Sequence, residues 1–155
     1  GKPLTRLTNV TLAGLDIAED IGEFKSTKLN IYLTSSQGRT IMLTSGLTTI
    51  WSQCLLNCIS GLYQSYDLQT PFNLDSWKGN SKMRPCFAGI RIQGNKVTDD
   101  VLYNQLADAR ADKDYKQTEK LLRGVVDKVK AALRTENVQV EVETTEVDPE
   151  AAELF

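Results

Sequence analysis

The chain has 155 residues, 41% of them hydrophobic and 25% charged, and a formal charge of −2. This ordinary globular composition excludes collagen-like, low-complexity and wholly disordered classes, and a chain of this length buries about 68–70% of its unfolded surface, enough for one core. No apolar run approaches the ~20 residues of a membrane span and there is no signal-peptide h-region, so a soluble protein without a secretory leader is expected.

The first predicted element runs from Leu7 to Ile17, with apolar Val10, Leu12, Leu15 and Ile17. Its alternation slips by one position around Ala13-Gly14, the sequence mark of a β-bulge. Residues 28–34 alternate cleanly, with Leu29, Ile31 and Leu33 on one face and Lys28, Asn30 and Tyr32 on the other. The Ser35-Ser36-Gln37-Gly38 cluster reads as a turn, and Arg39 to Thr44 as the returning strand of a hairpin, with Thr40 and Met42 outward.

From Gly46 the apolar period changes from 2 to 3.6. Leu47, Ile50, Trp51, Cys54, Leu55, Cys58, Ile59, Leu62, Tyr63 and Tyr66 form one stripe that only Leu56 breaks, so a core-facing helix is expected, with Thr44 or Ser45 as N-cap. Cys54 and Cys58 fall inside the stripe and read as buried structural thiols. Pro71 to Trp77 is a strand with Phe72 and Leu74 on one face and Trp77 on the other, Asp75 also outward. After a polar loop over 78–85, Cys86 to Ile92 alternates, with Ala88, Ile90 and Ile92 opposite Phe87, Gly89 and Arg91, and Gly94-Asn95 closes it. Residues 99–134 are helical and charged, broken near Ala111–Asp114. Their second half carries a narrow stripe at Leu121, Leu122, Val125, Val126, Val129 and Leu133, which must dock on something or pair with a copy of itself. Val138, Val140 and Val142 alternate like an edge strand, but the acid density favours a loosely ordered tail.

Three strands, a helix and two strands is the order of an OB-fold. The expected class is α+β, mainly β: an OB-like five-stranded barrel with its helix between strands 3 and 4, plus C-terminal helices. The chain divides into an OB-like domain over 1–98, a helical extension over 99–135 and an acidic tail over 136–155.

Chemistry is narrowed by what is missing. Histidine is absent, which removes Ser-His and Cys-His catalysis and every His-containing metal site. Three cysteines, Cys54, Cys58 and Cys86, are too few for a closed all-cysteine zinc site, and an odd count argues for a reducing cytosol. There is no Walker A sequence and no G-x-G-x-x-G. The adjacent acids Glu19-Asp20 and Asp99-Asp100 sit at element ends, where capping is the usual reason. No enzyme, cofactor or metal is expected.

The charge is unevenly spread. Residues 136–155 hold seven acids and no base, while residues 25–96 hold eight bases against the two acids Asp67 and Asp75. A basic body with an acidic tail is a pattern of proteins that touch polyanions. Three outward aromatics, Tyr32, Trp77 and Phe87, interleave with Lys28, Arg39, Lys78, Lys82, Arg84, Arg91 and Lys96, the components of a groove where bases stack and phosphates are neutralised. The alternative is that the C-terminal helices cover this face and the aromatics form a second core.

The run Thr-Pro-Phe-Asn-Leu-Asp-Ser-Trp at 70–77, the Lys/Arg loop, and Phe-Ala-Gly-Ile-Arg-Ile-Gln-Gly-Asn-Lys-Val at 87–97 follow a strand, a hairpin and a helix. Over residues 5–98 this pattern resembles single-stranded DNA-binding proteins of phage type. The resemblance implies an OB-fold that coats single strands in replication and recombination, in the cytoplasm of a bacterial or phage-infected cell. The tail, with Glu146, Asp148, Glu150, Glu153, Leu154 and Phe155, is similar to the acidic tips with which such proteins recruit replication and repair partners, a terminal Phe entering an apolar pocket with a basic rim. Here Leu154 stands where bacterial members usually have proline. The alternatives are an RNA-binding or transcription-associated β-sheet module and a non-catalytic adaptor, a possible homo-oligomer, assembling through 99–134. No membrane partner is expected.

Overall fold

A computed structural model describes residues 5–21, 23, 25–79 and 86–136. The elements are β1 (Thr5–Ile21), β2 (Ser26–Thr34), β3 (Thr40–Gly46), α1 (Ile50–Ser65), β4 (Phe72–Lys78), β5 (Cys86–Ile92), β6 (Asn95–Lys96), α2 (Asp100–Ala111) and α3 (Tyr115–Glu136). The fold is α+β: one antiparallel sheet in the order β3-β2-β1-β4-β5-β6, with three helices.

The sheet is open. β3 and β6 are its edges, so the expected closed five-stranded barrel is not formed, and a short sixth strand follows β5 beyond the five expected. Gln93 (φ 50°) and Gly94 (φ 81°) both take positive φ between β5 and β6, the signature of a tight primed hairpin turn.

β1 is long because two neighbours share it. Its first half pairs with β4 and the rest with β2. Register breaks between Leu7 and Val10 and between Leu12 and Gly14, with Asn9 at φ 53°, re-aim the strand from one partner to the other. The bulge expected at Ala13-Gly14 is therefore present.

Period-2 alternation sends Val10, Leu12, Leu15, Leu29, Ile31, Leu33, Leu43, Phe72, Leu74, Ala88, Ile90 and Ile92 into the core. The helices cover this face: α1 packs on β5 and β3, α3 on β1 and α1, and α2 on both other helices. The stripe Leu122, Val125, Val126, Val129 and Leu133 is buried in the same cluster as the strand residues, with Leu121 half-buried beside it. It docks on this chain's own sheet and α1, so residues 99–134 share one core with 1–98.

Two expectations for α1 need correction. Its N-cap is Thr49, whose Oγ1 accepts the Ser52 N–H at 3.2 Å. Thr44 and Ser45 belong to β3, where Thr44 Oγ1 donates to Asn30 Oδ1 at 2.9 Å. Leu56, off the predicted stripe, is fully buried, whereas Tyr63 and Tyr66 on the stripe are exposed. The helix lies between sheet and helices, so it is buried almost all round until its last turn emerges, where Lys128 Nζ stands 4.9 Å from the Tyr63 ring centroid.

Candidate nucleic-acid interface

The sheet face opposite the helices carries the outward residues of every strand. Lys28, Asn30 and Tyr32 project from β2, Thr40 and Met42 from β3, Asp75 and Trp77 from β4, and Phe87, Gly89 and Arg91 from β5, as the alternation predicts, joined by Thr44 of β3 and Asn73 of β4. The helices do not cover the aromatics. Tyr32, Trp77 and Phe87 are half-buried.

Trp77 and Phe87 are register partners on β4 and β5, with ring centroids 6.1 Å apart and planes inclined by 27°. The indole spreads across Gly89, so a β-carbon at position 89 would stand 3.2 Å from Trp77 Cη2. The missing side chain at position 89 leaves room for the far end of the ring. Tyr32 does the same on a smaller scale beside its register partner Gly14, at 3.7 Å from the corresponding point.

Around Trp77 a trough of about 800 Å³ is lined by Arg6, Asn73, Asp75, Gly89, Arg91 and Lys96, among others. Arg91 and Lys96 are exposed register partners across the β5–β6 hairpin, and Arg91 Nη1 donates to Gly94 O at 3.1 Å. Arg6 and Asp75 are cross-strand partners joined by two hydrogen bonds, Nε to Oδ1 at 2.8 Å and Nη2 to Oδ2 at 3.4 Å. The Asp75 hydrogen bond, and then its charge, hold the Arg6 guanidinium still more firmly protonated. Asn73 Oδ1 accepts the Asn9 N–H at 2.9 Å.

The β1–β3 half is different. Asp16 accepts from Asn30 Nδ2 at 3.0 Å and from the Tyr32 hydroxyl at 3.2 Å, and Asn30 in turn accepts from Thr44. Burial, then the Asp16 charge and hydrogen bond, push the Tyr32 phenol up, so it stays a neutral donor. Lys28 borders a separate cavity of about 470 Å³ with Thr44, Ser45, Thr49 and Cys86.

Of the sequence-predicted residues, the fold brings Trp77, Phe87, Arg91 and Lys96 together. It sets Tyr32 and Lys28 apart on β2, Arg39 in the exposed β2–β3 turn and Lys78 at the exposed end of β4. Lys82 and Arg84, with the tail residues Glu146, Asp148, Glu150, Glu153, Leu154 and Phe155, lie outside the described residues. Sequence reasoning missed Arg6 and Asp16. Arg6 meets Asp75 across 69 positions, and no local pattern announces that.

The thiols are inert by environment. Cys58 is 5% exposed, and burial pushes its pKa up to about 11. Burial also raises Cys54. Among the described residues no group of three or more Cys, Asp or Glu side chains is placed to hold a metal ion, and no helix is long and apolar enough to cross a membrane.

Comparison with known proteins finds no matching family, no matching curated protein and no matching solved structure.

Proposed function

We propose that this chain binds single-stranded DNA with little sequence preference, as a non-catalytic protein that protects exposed strands in replication or recombination. The observation that carries the reading is the sheet face turned away from the described helices, on which Trp77 stands beside Phe87, Arg91 and Lys96. Every base has a π-face, so stacking on an aromatic platform contributes about 1–3 kcal/mol per base without reading its identity. Neighbouring cations neutralise phosphates and release counterions, which makes affinity fall steeply with salt.

The strand order adds support. β3 and β5 both run parallel to β1, and pairing them would close a five-stranded barrel of OB type. In this chain β6 instead pairs with the end of β5. The strand order is thus compatible with an OB-type sheet left open, its outward face turned away from the helices. The acidic segment 136–155 fits a second role, holding partners or excluding weak anions from the groove.

The test is a fluorescence titration of the full chain with single-stranded and duplex DNA across a range of salt. Trp77 reports on the face, whereas Trp51 is buried with Nε1–H donating to Ser76 Oγ at 3.1 Å and reports on the fold. Single strands should bind more tightly than duplex, with a steep salt slope. Equal affinity for the two forms, or none at low salt, excludes the reading.

A further inference from the structure

We infer that single-stranded DNA is anchored in the trough over β4–β6, one base on the Trp77 indole and flanking phosphates on Arg91 and Lys96, while the hydrogen-bonded cluster around Asp16 excludes bases from the β1–β3 half. This rests on the functional reading above and divides its site into an anchor and a non-stacking flank.

Three features make the trough an anchor. The indole is pre-positioned: the far end of its ring reaches Gly89, with Cη2 3.2 Å from where a β-carbon would stand, and the Phe87 ring flanks it with centroids 6.1 Å apart. A ring already held in its stacking orientation loses little freedom when a base arrives. Two exposed cations stand at one end, since Arg91 follows Gly89 by two residues on the same strand face and Lys96 lies opposite Arg91. The cavity of about 800 Å³ falls within the range of pockets that enclose small ligands, about 300–1,000 Å³. Asp75, the acid in this trough, is neutralised by Arg6 at 2.8 Å.

The other half lacks these features. The Tyr32 hydroxyl and Asn30 amide are both committed to Asp16, and Thr44 to Asn30. Among the described residues no ion pair holds Asp16, so a base stacked on Tyr32 would bring its own phosphates beside a carboxylate whose partners are the neutral Asn30 and Tyr32. Like charges at close range in a half-buried setting repel more strongly than in bulk water.

The experiment compares the full-length chain with three variants: Arg91→Gln/Lys96→Gln, Trp77→Ala and Tyr32→Ala. Each is titrated at low salt with a thymidine tetranucleotide and with an oligothymidylate of about 30 nucleotides, the shorter ligand lying at the low end of known site sizes. Thermal melting checks that each variant is folded. The tetranucleotide should bind the parent chain and quench its fluorescence. The double variant should weaken both ligands by about tenfold or more, and Trp77→Ala by about ten- to hundredfold. Tyr32→Ala should change tetranucleotide affinity less than about twofold. If Trp77→Ala fails to fold, the double variant, whose side chains are exposed, and the parent quenching decide. Suppose the long ligand binds but ignores the double variant, or Tyr32→Ala weakens it as much. Then the anchor assignment is wrong and the functional reading stands. If neither ligand binds the parent chain, both are wrong.

Discussion

The indole of Trp77 lies across Gly89 of the neighbouring strand, its Cη2 and Cζ3 atoms 3.2 Å and 3.4 Å from where a β-carbon would stand. Contacts that close require the neighbour to move by a few tenths of an ångström, and the far end of an aromatic ring can do so. Gly89→Ala should therefore fold but tilt the ring off the sheet and against Phe87. The expected outcome is a shifted tryptophan emission and single-strand affinity reduced several-fold, with the melting temperature little changed. A variant that binds normally would show that the ring's seat is irrelevant to the ligand.

At the joint between α1 and α2 the backbone of one element closely approaches the other. A β-carbon on Gly61 would stand 2.6 Å from the Thr98 carbonyl carbon and oxygen. Beside it, buried Asp99 caps α2 by accepting the Leu102 N–H at 3.1 Å, and takes the Ser60 hydroxyl at 2.7 Å. Gly61→Ala should destabilise by about 1–3 kcal/mol through overpacking. Asp99→Ala should cost about 2–3 kcal/mol, from the lost cap and the buried donors it leaves. Denaturant midpoints should fall at unchanged slope. Asp99 does not line the trough, so Asp99→Ala should leave intrinsic DNA affinity unchanged.

Cys58 predicts a pH dependence with a definite sign. Burial raises its pKa from 9.0 to about 11, so between these values the unfolded thiol ionises while the folded one keeps its proton. The folded state then binds more protons, and stability falls as pH rises. Its contribution is fully present below about pH 9 and lost as pH rises toward about 11, on the order of 3 kcal/mol. Cys58→Ser or Cys58→Ala should flatten that part of the stability–pH curve. Native Cys58 should also resist alkylation at pH 8 and react only after denaturation, which mass spectrometry can follow.

Removing residues 137–155 takes away six carboxylates and no base, turning the net charge from −2 to +4. Tethered acids compete with phosphates for the basic face, through an attraction screened beyond about 8 Å at physiological salt. The shortened chain should bind single strands more tightly at low salt, and the difference should shrink as salt rises. A loss of binding would assign the segment to the fold.

The alternation in β2, β4 and β5 already separated Leu29, Ile31, Leu74 and Ile90 from Tyr32, Trp77 and Arg91, because a strand's side-chain period is local and needs no partner to be read. The break between α2 and α3 and the bulge in β1 were legible for the same reason. Pairing is not local. That β1 serves two neighbours, that β6 takes an edge of β5, and that β3 and β5 remain apart depend on contacts many residues distant. So does the burial of Leu56 on the far side of α1, since a stripe shows only the most apolar face and not how many layers enclose the helix. The same limit applies to the candidate site. Its aromatic and basic residues could be read from their spacing, but Asp16 beside Tyr32, Arg6 on Asp75 and Gly89 beneath Trp77 are cross-strand meetings. Composition and period determined which residues face outward, whereas the order of strands decided which of them meet across the sheet.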